Sequence, residues 1–173
     1  MALRISPQYQ ELAQSIWLKG RTDPKVIFQA LDLGGTLLKL DDNPRVLQWF
    51  KYVKAYNVAG KRKGVQFSDD DIYQLLSKNT DNGELAVLFY SLKSNPAFKS
   101  LGESMAKVVF NDWLRKEVRP EKVMIQLELI GNRASDIPDH TLRSKIHRDY
   151  VFMFTNELNL RAYYKTQLDK LFG

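Results

Sequence analysis

The sequence predicts an all-α fold, a helical bundle of short-linked helices. Capping residues stand directly before prolines at Asp23-Pro24, Asn43-Pro44 and Asn95-Pro96, pairing an N-cap acceptor with a residue preset for the first helical turn. Between such starts the apolar residues recur at helical spacing, and no alternating run of strand type interrupts them. A third observation is internal repetition at an offset of 96 residues. Trp17, Pro24 and Leu31-Asp32-Leu33 return as Trp113, Pro120 and Leu127-Glu128-Leu129. Each copy reads as the end of one helix, a turn, and a second helix opened by proline.

Taken in order, a first helix ends near Trp17 and a second starts at Pro24 and stops before Gly34-Gly35. The third starts at Pro44 and places Val46, Trp49, Phe50, Val53 and Tyr56 on one arc, with Lys51 and Lys54 opposite. Residues 59–64 form a loop. Ser68 with Asp71, and Asp81 with Glu84, mark two further starts of capping-box type. The second of these leads into Leu85, Leu88, Phe89 and Leu92. A long helix is expected from Pro96 through Met105 and Val109 to Trp113. After Pro120 and a loop at 131–136, a helix carries Tyr150, and a last helix, Leu158 to Phe172, is expected to close the bundle as a cap.

Composition narrows the function. In 173 residues, 44% are hydrophobic and 12% aromatic, enough for a substantial core and far from the signature of disorder. There is no cysteine, which removes disulfides, thiolate metal sites and thiol nucleophiles. His140 and His147, with Asp136, Asp139 and Asp149 nearby, lack the ligand spacing of zinc. Asp69-Asp70-Asp71 suits a helix N-terminus, and Asp81-Asn82-Gly83 does not fit a calcium loop. With no nucleophile-base-orienter set, the expectation is a non-enzymatic protein with no catalytic, cofactor-binding or metal residues.

The net charge of +6 is local. Between Asn43 and Ser68 the chain carries Arg45, Lys51, Lys54, Lys61, Arg62 and Lys63 and no acid. This patch is the candidate surface for a partner or an anion: an acidic protein face, an anionic membrane, or, least favoured, nucleic acid. Asp69 to Leu76 also resembles the acidic-aromatic-x-x-aliphatic core that binds autophagy ubiquitin-like proteins by strand addition, although the same residues fit a helix.

The stretch WLKGRTDPKVIFQALDL followed by NPRVLQWFKYVKAYN resembles the L and W motifs of oomycete RXLR effectors of the WY and LWY type. DNGELAVLFYSLKSN, leading into the helix that ends at Trp113, is similar to their Y-motif region. The resemblance covers residues 10–130 and implies one LWY-like module over 1–110. A second, incomplete module over 111–173 shares a linker helix with it.

Its structural core motif would comprise Trp17, Trp49, Tyr52, Val53, Tyr56, Tyr90, Trp113 and Tyr150. Thr80 stands where the family tyrosine does, leaving Tyr73 and Tyr90 as candidates for its space; in the second module His147 stands at the tryptophan position. The family implies a secreted virulence protein, translocated into plant cells, that suppresses immunity by binding a host protein. Its leader and RXLR segment would lie in an N-terminal part outside this sequence. A homodimer is a further candidate assembly, with Phe152, Phe154 or Phe172 covered by a twofold partner.

Overall fold

Side-chain caps set the helix starts. In the computed structural model, which describes residues 7–34, 43–61, 64, 66–129 and 141–172, Asp23 accepts from the Lys25 amide at 2.7 Å, opening α2 (Pro24–Ala30). Asn43 accepts from the Arg45 amide at 3.0 Å, opening α3 (Pro44–Gly60). Ser68 and Asp71 form a reciprocal capping box at α4 (Asp69–Leu76), and Asp81 accepts from the Gly83 and Glu84 amides at α5 (Asn82–Lys93). Such caps stabilise a helix by roughly 1 kcal/mol each. With α1 (Pro7–Lys19), α6 (Lys99–Arg115), α7 (Pro120–Gln126) and α8 (Leu142–Phe172), the described residues hold eight helices and no strand.

Two compact units divide the chain, Met1–Thr80 and Asp81–Gly173. In the second of them, α5 packs on α6, α7 and α8.

In the first unit, α3 packs against both α1 and α2, and its buried face is Val46, Gln48, Trp49, Phe50, Tyr52 and Val53. Ile27, Phe28, Leu31 and Leu33 close on it from α2 and the turn beyond. The acidic-aromatic segment at Asp69–Leu76 is helix α4, with Ile72 and Leu76 buried and Tyr73 half-buried. Its backbone is committed to helix, so it cannot pair as a strand without melting.

In the second unit, α5 and α6 form an antiparallel pair so close that a Cβ on Gly102 would lie 2.6 Å from the Phe89 carbonyl oxygen. Gly83 plays the same part at the start of α5, where a Cβ would lie 2.0 Å from the Gln126 carbonyl oxygen. The predicted start at Asn95-Pro96 is corrected. Asn95 accepts from the Ala97 amide and closes a single turn, and α6 begins at Lys99, with Phe98 at its N-cap and no side-chain cap. The cap was real, but it serves a turn rather than the helix.

A second correction concerns the C-terminal residues. Leu158 to Phe172 are not a separate capping helix but the continuation of α8, 31 residues and about 46 Å long. From Leu158 to Leu171 this stretch is almost wholly exposed, with Leu158 at 49% and Leu171 at 74%. No glycine or proline lies between Tyr150 and Phe172 to break the helix.

Candidate functional site: a twice-built aromatic joint

Each copy of the repeat ends two helices in the same way. After α1, Arg21 adopts a left-handed conformation (φ 48°), and the Thr22 amide reaches back to the Trp17 carbonyl at 3.0 Å. After α6, Glu117 (φ 52°) and the Val118 amide on the Trp113 carbonyl, at 2.8 Å, reproduce that closure. The turns after α2 and α7 match as well. Asp32 and Glu128 each have φ 53°, and the Leu33 and Leu129 amides bond to Phe28 and Met124. These are Schellman-type closures with a charged residue at the position glycine usually holds. The Leu-acid-Leu pattern follows from this geometry: both leucines of each copy are buried, and the acid between them is exposed.

The next helix locks onto these turns. The Tyr52 hydroxyl donates to the Thr22 carbonyl at 2.5 Å and lies 3.3 Å from the Trp17 carbonyl. The Tyr150 hydroxyl donates to the Val118 carbonyl at 2.5 Å, and Val118 is the repeat counterpart of Thr22. Edge-to-face contacts accompany both, Trp17 on Tyr52 with centroids 5.7 Å apart and Trp113 on Tyr150 at 5.1 Å. Burial pushes both phenols up to about 12. They are neutral hydrogen-bond donors, and such pairs add roughly 0.5–1.5 kcal/mol beyond area burial.

The two copies differ in what anchors the lock. In the first, the Trp49 indole, fully buried, donates to the Pro24 carbonyl at 2.9 Å and is ringed by Phe28, Phe50 and Phe67. In the second, His147 Nε2 lies 3.1 Å from the Pro120 carbonyl oxygen, a hydrogen bond in the Nε2–H tautomer. The imidazole keeps the polar contact of the indole and gives up most of its apolar area. Trp113 adds a bond of its own, Nε1 to Gln126 Oε1 at 2.7 Å, for which the first copy has only Ala30.

Of the remaining core candidates, Val53 is buried, whereas Trp17 and Tyr56 are only half-buried. Tyr90 is buried in the second unit. Its hydroxyl donates to Asp149 at 2.8 Å, its ring carries the Lys93 ammonium 3.4 Å from the centroid, and burial raises its pKa well above the ordinary phenol value. Beside Trp49 the aromatic place is taken by Phe67, which Asn57 pins from both sides. Asn57 Nδ2 donates to the Phe67 carbonyl at 2.8 Å and its Oδ1 accepts from the Phe67 amide at 2.7 Å.

Sequence reasoning missed Phe67. The signal available was an aromatic residue just before the cap at Ser68, the place of a hydrophobic staple.

Ion pairs fasten the second unit further. Arg143 reaches Glu84 at 2.7 Å, the Leu127 carbonyl at 3.3 Å and Glu128 at 3.6 Å. The buried Asp112 carboxylate accepts from Asn82 at 2.9 Å and pairs with Arg115 and Lys116.

Of the basic patch, Lys51, Lys54 and Lys61 are exposed and Arg45 is half-buried, while Arg62 and Lys63 lie outside the described residues. His140, Asp136 and Asp139 also lie outside them. Among the described residues, no group of three His, Asp or Glu side chains could hold a metal ion, and no helix is long and apolar enough to cross a membrane.

A helix-turn-helix joint built twice in one chain defines an all-helical tandem-repeat protein. Two family models match it: the RXLR phytopathogen effector protein WY-domain over residues 55–107, and the WY-domain of effector PexRD54 over residues 12–53. The chain belongs to the oomycete RXLR effectors of the WY-domain type.

It is 31% identical to RxLR effector protein 54 of Phytophthora infestans over 75% of its own length and 35% of that protein. With RxLR effector protein PexRD18 of the same organism it shares 35% identity over 70% of its length and 26% of that protein. The chain thus spans about a third or less of these relatives. The crystal structure of RXLR effector PexRD54 from Phytophthora infestans superposes with a TM-score of 0.53 at 31% identity, covering 86% of this chain and 55% of that one. PcRxLR12, at 20% identity and a TM-score of 0.51, covers 92% of this chain and 36% of its own, and shares the fold.

Proposed function

We propose that the chain is part of a secreted virulence effector that acts inside plant cells and suppresses immunity by binding a host protein on a rigid helical scaffold. The observation that carries this reading is where the polar groups of the buried aromatics go. The Trp49 and Trp113 indoles and the Tyr52 and Tyr150 hydroxyls are each bonded within their own unit. The core is consumed in holding shape, so recognition is left to exposed side chains and the chemistry is binding rather than catalysis.

The scaffold is read as a first LWY-like module over 1–110 and an incomplete second over 111–173, joined through α6. The test is affinity capture from plant extract against a control matched in surface charge. A specific host protein recovered above the control supports the reading, and its absence counts against it.

A second reading is favoured by the exposure of Lys51 and Lys54 on α3 and Lys61 just beyond it, a cationic face suited to anionic membrane and less to nucleic acid. Binding to anionic vesicles would then fall steeply with salt and vanish when the patch is neutralised. A flat salt response excludes it.

A further inference from the structure

The chain's one Asn-Gly pair, Asn82-Gly83, stands at the first turn of α5, and the packing there dictates both residues. A Cβ at position 83 would lie 2.0 Å from the Gln126 carbonyl oxygen and 2.6 Å from its carbon, both backbone atoms, so only glycine fits. At position 82 the side chain donates from Nδ2 to Asp112 Oδ2 at 2.9 Å, which an ionised carboxylate cannot do. Asp112 is 3% exposed, and this bond ties the start of α5 to the end of α6. An amide needed as a donor therefore precedes a residue that must be glycine, the dipeptide most prone to intramolecular loss of ammonia.

The folded chain holds this chemistry back. The nucleophile is the Gly83 backbone nitrogen, whose N–H donates to the Asp81 carboxylate at 2.7 Å, and that negative charge opposes loss of the proton. The electrophile is Asn82 Cγ. Joining the two in a five-membered ring requires the backbone of Asn82 to leave its helical conformation and its amide to leave Asp112. Opening the first turn of α5 releases both restraints at once, and helix ends open more readily than cores.

We propose that Asn82 is a self-modification site that reacts with water when the start of α5 opens, and whose product stops α5 from closing again on Asp112. The Gly83 nitrogen gives its proton to solvent base and bonds to Asn82 Cγ. The Cγ–Nδ2 bond breaks, and Nδ2 takes a proton from solvent and leaves as ammonia. Water then opens the cyclic imide at either carbonyl, leaving aspartate or isoaspartate, so that one amide and one water become one acid and one ammonia.

Either product sets a carboxylate where the Nδ2 donor stood, against the buried Asp112 carboxylate. Arg115 and Lys116, exposed and already paired with Asp112, offset only part of that repulsion. The second unit thus keeps a chemical record of its own opening, with no partner or cofactor required.

The test holds the full chain in mildly alkaline buffer, native or in urea, and reads the peptide containing residue 82 by mass spectrometry for conversion of amide to acid. Conversion should occur in both, at least about tenfold more slowly in the native chain. Asp81→Ala, which frees the Gly83 amide, should quicken the native reaction severalfold and leave the rate in urea unchanged. Asn82→Asp, the product made directly, should melt several degrees below wild type. Adding Asp112→Asn to it should recover most of that loss by restoring a donor and an acceptor. Circular dichroism confirms that each variant is folded.

Equal rates in the two conditions, no conversion in urea, or an unchanged native rate in Asp81→Ala overturns the proposal. So does Asn82→Asp melting at or above wild type, which would show that the positive end of α5 outweighs the clash with Asp112.

Discussion

His147 occupies in the second copy the station that Trp49 holds in the first: its ring nitrogen lies 3.1 Å from the Pro120 carbonyl, and the indole nitrogen of Trp49 lies 2.9 Å from that of Pro24. The polar contact is kept and the apolar bulk is not. Trp49→Ala should therefore cost the first unit about 3–5 kcal/mol, the usual range for emptying a buried tryptophan site. His147→Ala should cost the second unit about 1 kcal/mol, close to a single hydrogen bond. Urea unfolding of each variant, followed by circular dichroism, measures both, and equal losses would contradict the asymmetry.

The two tyrosine locks give a pH signature. Burial raises Tyr52 and Tyr150 to about 12 from the ordinary phenol value near 10.0. The folded state therefore favours the protonated phenol. The stability this contributes is complete below pH 10, declines above it, and is lost as pH rises through about 12. The melting temperature of the wild type should fall across that window, and the Tyr52→Phe, Tyr150→Phe double variant should fall less.

At neutral pH each Tyr→Phe change alone should cost about 1–2 kcal/mol, because it strands the carbonyl of Thr22 or Val118. Chemical denaturation of the single variants reads this loss, and a neutral result would show the carbonyls to be satisfied otherwise.

Glu128 holds a left-handed backbone (φ 53°) that glycine adopts without steric cost. Glu128→Gly should raise stability by up to about 1 kcal/mol, less a few tenths for its exposed, 3.6 Å contact with Arg143. A thermal melt that moves downward would overturn the turn assignment.

Gly102 predicts the opposite sign. A methyl there meets the Phe89 carbonyl at 2.6 Å and the Lys93 amide at 2.8 Å, both backbone atoms that cannot swing aside. Gly102→Ala should destabilise the second unit by about 1–3 kcal/mol by forcing α5 and α6 apart, despite the higher helix propensity of alanine. Differential scanning calorimetry registers this as a lowered transition.

Much of this architecture is legible in local chemistry. Asp23, Asn43, Ser68 and Asp81 declare their helices because a cap and its amide lie within three residues of each other. The family was legible for a similar reason, since its motifs are contiguous. What stayed hidden depends on partners brought in by folding. The hydroxyl of Tyr52 finds Thr22 thirty residues upstream only because the turn at Arg21 leaves that carbonyl free.

Asn57 was visible as part of a motif, yet its two bonds to Phe67 span a loop that spacing cannot close. The continuity of α8 could have been read from the lack of any breaker after Tyr150. The expectation of a closing cap put bundle economy ahead of that local signal.

The central claim is that the indole of Trp49 is an enclosed, hydrogen-bonded anchor of the scaffold. Hydrogen exchange of the three indole N–H groups by NMR tests it most directly. The account predicts that the Trp49 proton exchanges orders of magnitude more slowly than that of half-buried Trp17. Exchange of the Trp49 proton at the rate of a free indole would contradict it.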